Sequence, residues 1–477
     1  MRYCTILFLL VSYLASSQTL VSYEVIGEWT AAEANVELDV TDAEFDQRYY
    51  RVVYMTPHLD GEVREATGFV SLPIAQGRSF PTMVYQHGTA FGRELVPSFD
   101  VETYYPKLMA SYGYITIAAD YVGLGGSAGL HPYIHADTES SAAADLILAS
   151  RQIADMENVR RNNQLFITGY SQGGHASAAL QRDIESGRYT DITTVTAGSH
   201  LSGPYSVSDL MIEFTLGDEP YTAVSYLPYV VLSMKAAYPE LLDAYTLDDI
   251  FISNVVPLVE QFEAEEIDLL SLNFALVGAI FATGTLSVEP KILVVPEFLE
   301  GIRNDPNHPF IEALKLNDVF DWTPQAPTRL MGCAGDDQVW YENTIFTTNV
   351  MMQNGAVDID RLELGADFDH GECVDPTFVA TTEFFGQLQE VEFILDTEHI
   401  VSDCHPNVVQ YRDRLEVRPN ADCNLNYTAT ILSSNGQELS TFTNSDAIIP
   451  TENLGAGLFI LQLVDQNGGH FNHKFIK

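Results

Sequence analysis

The stretch Leu165-Phe166-Ile167-Thr168-Gly169-Tyr170-Ser171-Gln172-Gly173-Gly174 constrains the fold of this chain more than any other. An apolar run leads into a serine that has a glycine two positions to either side. That pattern places the serine on a sharp turn from a strand into a helix, where the flanking positions must be small because the two elements nearly touch. Gly169 and Gly173 meet the requirement, and Gly174 adds clearance. Ala176, Ala179, Leu180 and Ile184 then recur at helical spacing, and Gly187 stands where a helix C-cap belongs. Ser171 is therefore a candidate nucleophile at a strand-to-helix elbow.

The sequence around the elbow supplies the rest of a sheet. Tyr49 to Thr56 and Ala66 to Leu72 read as two strands joined around Asp60-Gly61, a hairpin signal, with a third strand at Thr82 to Tyr85. Apolar strands then alternate with helical stretches: strand Tyr114 to Ala119, helix Ser140 to Met156, strand Leu165 to Thr168, strand Thr193 to Ala197. An antiparallel start followed by such alternation predicts an α/β sheet with helices on both faces. Between about Ser206 and Pro324 the alternation stops. Large apolar residues at helical periodicity, as in Tyr226-Leu227-Pro228-Tyr229-Val230-Val231-Leu232, predict an inserted helical cap. Strands resume at Thr328 to Met331 and Arg361 to Leu364, and helix Pro376 to Gln389 closes a catalytic domain expected over 18–395. From Val408 onward, short alternating strands at Thr428 to Leu432, Ala447 to Ile449 and Leu458 to Leu463 predict a separate all-β sandwich over 408–477.

A chain of 477 residues has room for both units. Arg2, the apolar run Ile6 to Leu14 and the small residues Ala15 and Ser17 read as a secretory signal peptide over 1–17. No later run reaches the ~20 uninterrupted, uncharged apolar residues of a membrane span, so stable membrane insertion is not expected. Once Cys4 is lost with the leader, Cys333, Cys373, Cys404 and Cys423 remain, and an even number in an exported chain suggests two disulfides. Order along the chain favours Cys333 with Cys373 and Cys404 with Cys423. A net charge of −43 repels phosphate backbones, which excludes nucleic acid as a partner.

A serine hydroxyl attacks only when a base takes its proton and an acid orients that base. After the strand at Thr328 comes Gly335-Asp336-Asp337-Gln338-Val339, and after the strand at Arg361 comes Asp369-His370-Gly371. Asp336, the first carboxylate past its strand, is the expected acid, with Asp337 as the alternative; His370 is the expected base. The tetrahedral oxyanion needs two backbone donors, expected from the N–H of Gln172, directly after the nucleophile, and of Thr89 in the loop Gln86-His87-Gly88-Thr89. His175, one helical turn beyond Ser171, reads as a packed or pocket-lining residue. His131 and His135 flank Pro132, which breaks any helix that would align the rings, so no metal is expected there. No cofactor is expected either.

In chain order, YQHGT at Tyr85 to Thr89, DYVGLG at Asp120 to Gly125, GYSQGGH at Gly169 to His175, GDDQV at Gly335 to Val339 and DHGEC at Asp369 to Cys373 resemble secretory lipases of the lipase-A type, within the α/β-hydrolase superfamily. The resemblance covers about Tyr49 to Gln389 and implies lipase or esterase activity. Trp340 departs from the pattern, which has proline after the valine of the acid loop. Arg418-Pro419-Asn420, Leu454-Gly455-Ala456-Gly457-Leu458-Phe459 and the ending Lys474-Phe475-Ile476-Lys477 resemble the sorting domain of the type IX (Por) secretion system, which implies bacterial export to the surface or medium and the secretion machinery as a partner. The leading expectation is thus a secreted carboxylic ester hydrolase acting on small-molecule or lipid esters. A serine exopeptidase on the same fold is the alternative. A non-enzymatic surface protein conflicts with the presence of nucleophile, acid and base together.

Overall fold

The computed structural model describes residues 19–192, 194–393, 407–411, 413–418, 427–433, 437–443, 448–455, 457–465 and 470–477. The leader, Cys4 and the Cys404–Cys423 pairing lie outside the described residues. The chain divides into two compact units. One holds 80–390 together with the chain up to Ile74; the other holds the C-terminal residues from Val391 with the short segment Ala75–Ser79.

In the first unit the strands β1 (Leu20–Trp29), β2 (Asp46–Pro57), β3 (Val63–Ile74), β4 (Arg78–Gln86), β5 (Ile115–Ala119), β6 (Arg160–Tyr170), β7 (Ala197–Leu201), β8 (Thr328–Gly332) and β9 (Ile359–Glu363) lie in the order β1-β2-β3-β5-β4-β6-β7-β8-β9. The early strands pair antiparallel, with Tyr54 opposite Ala66 and Tyr49 opposite Ser71 across the β2–β3 hairpin, whose turn residue Gly61 takes a φ of 77°. From β4 onward neighbours run parallel, as with Phe166 to Tyr170 of β6 beside Ala197 to Leu201 of β7. Parallel strands buried on both faces need helices on both sides. Helices Tyr104–Ser111, Ala136–Met156, Gln172–Glu185, Glu342–Gln353 and Val374–Gly386 connect or follow the strands.

Between β7 and β8 the chain builds a helical region of its own, with Tyr226–Ala237, Val256–Glu263, Leu269–Ala282, Pro296–Asn304 and Pro309–Lys315 as its longer helices. Their inward faces share one core in which Met234, Val259, Leu272, Leu276 and Phe310 are buried. The helix Leu269–Ala282 obeys an inward spacing of Leu269, Leu272, Leu276 and Ile280, yet leaves Leu270, Phe274 and Phe281 exposed on its outer side.

Several boundaries differ from expectation. The strand expected at Thr193 to Ala197 is instead β7, Ala197–Leu201, because burial and parallel pairing begin at Ala197; Thr193 itself lies outside the described residues. The run Thr194-Val195-Thr196 lies before the strand; Thr196 meets β6 through its N–H, which donates to the Leu165 carbonyl at 2.7 Å, and its hydroxyl, which accepts the N–H of Leu165 at 3.0 Å. The helix expected from Pro376 runs Val374–Gly386. Sequence pattern did not signal β1, an edge strand with little buried apolar face, or Tyr104–Ser111, which carries a proline and spans only two turns.

The second unit contains two antiparallel sheets. One joins Asn407–Gln410, Arg414–Arg418 and Ile448–Pro450; the other orders Glu438–Thr443, Tyr427–Ser433, Leu458–Asp465 and His470–Ile476. Leu415, Val417 and Ile449 of the first share a core with Ala429, Ile431, Leu461 and Phe475 of the second, giving the expected small sandwich. The strand expected at Ala447 is Ile448–Pro450, with Ala447 outside the described residues.

Candidate active site

Strand β6 delivers Ser171 into a backbone conformation of φ 60° and ψ −120°, which a non-glycine residue rarely adopts. The glycines make the turn possible. A Cβ on Gly169 would sit 2.2 Å from the carbonyl oxygen of Gly173, and one on Gly173 would sit 1.9 Å from that of Gln86. The Ser171 N–H donates to the Leu201 carbonyl at 2.9 Å, which ties the elbow to β7.

The loops after β8 and β9 bring Asp336 and His370 to the serine. His370 Nε2 lies 2.8 Å from Ser171 Oγ, and its Nδ1 lies 2.9 and 2.8 Å from the two Asp336 carboxylate oxygens. With Nδ1–H donating to the carboxylate, Nε2 is left to accept the serine proton. Asp336 is itself held: its Oδ1 accepts the N–H of Gln338 at 3.0 Å and of Val339 at 2.8 Å. All three side chains are buried. The sequence favoured Asp336 over Asp337, and the geometry gives the two different partners. Asp337 is exposed and accepts the backbone N–H of His370 at 3.2 Å, so it fixes the histidine loop rather than the imidazole. Cys333, before the acid, and Cys373, after the histidine, form the expected disulfide, while the Tyr170 hydroxyl donates to the His370 carbonyl at 2.5 Å.

Thr89 and Gln172 both border cavities that open on Ser171. The loop carrying Thr89 comes close to the nucleophile, since a Cβ on Gly88 would be 3.9 Å from the Ser171 Cβ. The Thr89 hydroxyl bonds Tyr133 OH at 2.9 Å. Below the elbow lies a buried network that the sequence did not signal as a unit. Gln172 Nε2 donates to Glu139 Oε1 at 2.8 Å and to His131 Nε2 at 2.7 Å. His131 accepts because its Nδ1–H donates to the Val122 carbonyl at 2.8 Å; burial pushes its pKa down to about 4 and keeps it neutral. His175 is fully buried, with Nδ1 2.7 Å from Glu139 Oε2 and Nε2 2.7 Å from the Asn317 carbonyl. It is a packed residue, away from the cavities. Burial raises the Glu139 pKa, and the opposing pull of His175 and Gln172 leaves it below the usual value. The available signal was the carboxylate of Glu139 directly before the small-residue run Ser140-Ser141-Ala142-Ala143-Ala144. His135 caps its helix through Thr138, and no cluster of three metal-ligating side chains occurs among the described residues.

Two cavities meet at Ser171. One is walled by apolar residues of the helical region, including Met211, Ile212, Leu227 and Val230, and it borders Gln172. The other borders His370 and Thr89, and its lining includes the rings of Tyr85, Phe91, Tyr105 and Phe378.

No family model matches the chain, and no curated protein matches it. Among solved structures, a candidate hydrolase of Legionella pneumophila is 25% identical, with a TM-score of 0.68 over 78% of this chain and 98% of its own. The rice cell wall degrading esterase LipA of Xanthomonas oryzae is 22% identical, with a TM-score of 0.67 over 78% of this chain and 99% of its own. Candida antarctica lipase A in its closed state is 15% identical, with a TM-score of 0.58 over 78% and 81%. Strand order, elbow and helical insertion together with these likenesses show that the chain has the α/β-hydrolase fold, joined to a C-terminal antiparallel β unit.

Proposed function

We propose that this chain is a secreted carboxylic ester hydrolase that works through an acyl-enzyme on Ser171. The carrying observation is the continuous hydrogen-bonded line from Ser171 Oγ through His370 to Asp336. In the first step His370 Nε2 takes the serine proton as Oγ bonds the ester carbonyl carbon, and the carbonyl oxygen becomes an oxyanion received by the N–H groups of Gln172 and Thr89. Asp336 stabilises the imidazolium. The carbon–oxygen bond to the alcohol then breaks, and His370 returns the proton to the departing oxygen. Water repeats the sequence to release the acid.

Because His370 must reach the leaving oxygen, the cavity that it borders receives the alcohol, and the apolar cavity beside Gln172 receives the acyl chain. An acyl site walled by Met211, Ile212, Leu227 and Val230 suits hydrocarbon chains. The esterase and lipase among the similar structures support ester chemistry, and the exposed Leu270, Phe274 and Phe281 suit a lipid surface. The leader over 1–17 and the sorting-type module over 408–477 add export by type IX machinery to this reading.

The test is a chain-length series of nitrophenyl esters and triglycerides beside aminoacyl anilides, on the wild type and Ser171→Ala. Ester cleavage that falls on the order of 10⁶-fold in the variant is expected. Cleavage of anilides alone would move the chain to the peptidases.

A further inference from the structure

Resting on the ester-hydrolase reading, the alcohol cavity carries chemistry of its own. Its walls include the rings of Phe91, Tyr104, Tyr105 and Phe378 and the carboxylates of Glu102 and Asp375. Among the described residues that line it there is no lysine or arginine. The inner wall is fixed, with Tyr105 and Phe378 stacked at 4.2 Å between centroids and 11° between planes, and both packed against Tyr85 at 5.9 Å. Phe91 and Tyr104 are exposed at 41% and 54%, so ring surface is still open to a ligand there. Glu102 sits close to the reacting serine. Its Oε2 accepts the N–H of Gly88 at 3.2 Å and lies 3.9 Å from the point where a Gly88 Cβ would stand, itself 3.9 Å from the Ser171 Cβ.

Aromatic faces present negative charge density to a cation, and nearby carboxylates add to that attraction when no basic side chain competes. A sulfonate or carboxylate in the same place meets repulsion from both. We propose that the leaving-group cavity selects alcohols by charge, preferring esters of cationic amino alcohols over uncharged isosteres and those over anionic ones, with Glu102 as the residue that sets the preference. The cation rests among the rings and within range of Glu102 and Asp375. Its hydroxyl oxygen reaches His370, and the apolar acyl group occupies the other cavity. The net charge of −43 favours the approach of the same substrates at low salt.

The experiment uses the whole enzyme and three butyrate esters of similar size: that of choline, of uncharged 3,3-dimethylbutanol, and of isethionate. At low salt the choline ester is expected to exceed the dimethylbutyl ester about tenfold in kcat/KM, and the isethionate ester to fall about tenfold below it. Each comparison is a ratio within one protein, so a change in overall activity does not affect it. Glu102→Gln should shrink the choline preference to within about threefold, and Asp375→Asn, in the helix Val374–Gly386, should lower it in part. A choline ester no better than the neutral one, a preferred isethionate ester, or a ratio unchanged in both variants would overturn the proposal. Cleavage of nitrophenyl butyrate with none of the three esters cleaved would also overturn it. Failure of the wild type on every ester, nitrophenyl butyrate included, would instead remove the hydrolase reading beneath it.

Discussion

At the scale of single residues, the site depends on which carboxylate faces the imidazole. Sequence offered Asp336 and Asp337 side by side, and their side chains point to different partners: Asp336 to the His370 ring, Asp337 to the His370 backbone. Asp336→Asn keeps the shape but presents an amide to Nδ1, so kcat should fall on the order of 10⁴-fold. Asp337→Asn retains an oxygen for the His370 N–H, and its kcat should stay within about tenfold of wild type. Steady-state kinetics on a nitrophenyl ester, with active sites titrated, separates the two. Trp340, where the resembling pattern has proline, stacks on Phe214 of the helical region at 5.7 Å, so this departure is absorbed by packing and leaves the neighbouring acid in place.

At the scale of elements, two helices support the elbow. Glu139 of Ala136–Met156 holds Gln172 and His175 in the first turn of the elbow helix, and His175 reaches Asn317 at the return from the helical region. Removing one partner of a buried, hydrogen-bonded carboxylate–imidazole pair leaves the other unmatched. Glu139→Gln should cost about 3 kcal/mol in urea unfolding, and adding His175→Gln should recover part of that loss. The same helix carries a liability at Asp145. Burial pushes its carboxyl up to about 6, above an unfolded value of about 3.9. The folded state therefore binds more protons between those values, and stability falls as pH rises through that window. Asp145→Asn should be more stable than wild type by about 3 kcal/mol above the window, with the difference vanishing below it, as read by urea unfolding across pH.

At the scale of the whole molecule, the acid and base arrive on separate loops linked by one covalent bond. The Cys333–Cys373 disulfide closes a separation of 40 residues that contains both Asp336 and His370. Reduction should lower stability by about 4 kcal/mol on the loop-entropy estimate, read as a fall in Tm, with ester cleavage lost at lower temperature than in the oxidised protein. The triad and both cavities lie within the first compact unit. A chain ending at Phe393 should therefore keep kcat/KM within about twofold of the full chain. Much of this architecture was legible from residue order alone. The elbow needs glycines at 169 and 173 because no side chain fits between Gly173 and the Gln86 carbonyl, and that demand is visible in the sequence. Strand alternation likewise announced the sheet and set Asp336 and His370 just past two of its later strands, because hydrophobic periodicity is a local property. The edge strand β1, the start of β7, the choice between adjacent aspartates and the network around Glu139 depend on contacts between segments far apart in the chain. The lining of the cavity beside His370 is of the same kind: Phe91 and Glu102, which follow β4, and Asp375 and Phe378 of the helix Val374–Gly386 come together there only in the folded chain.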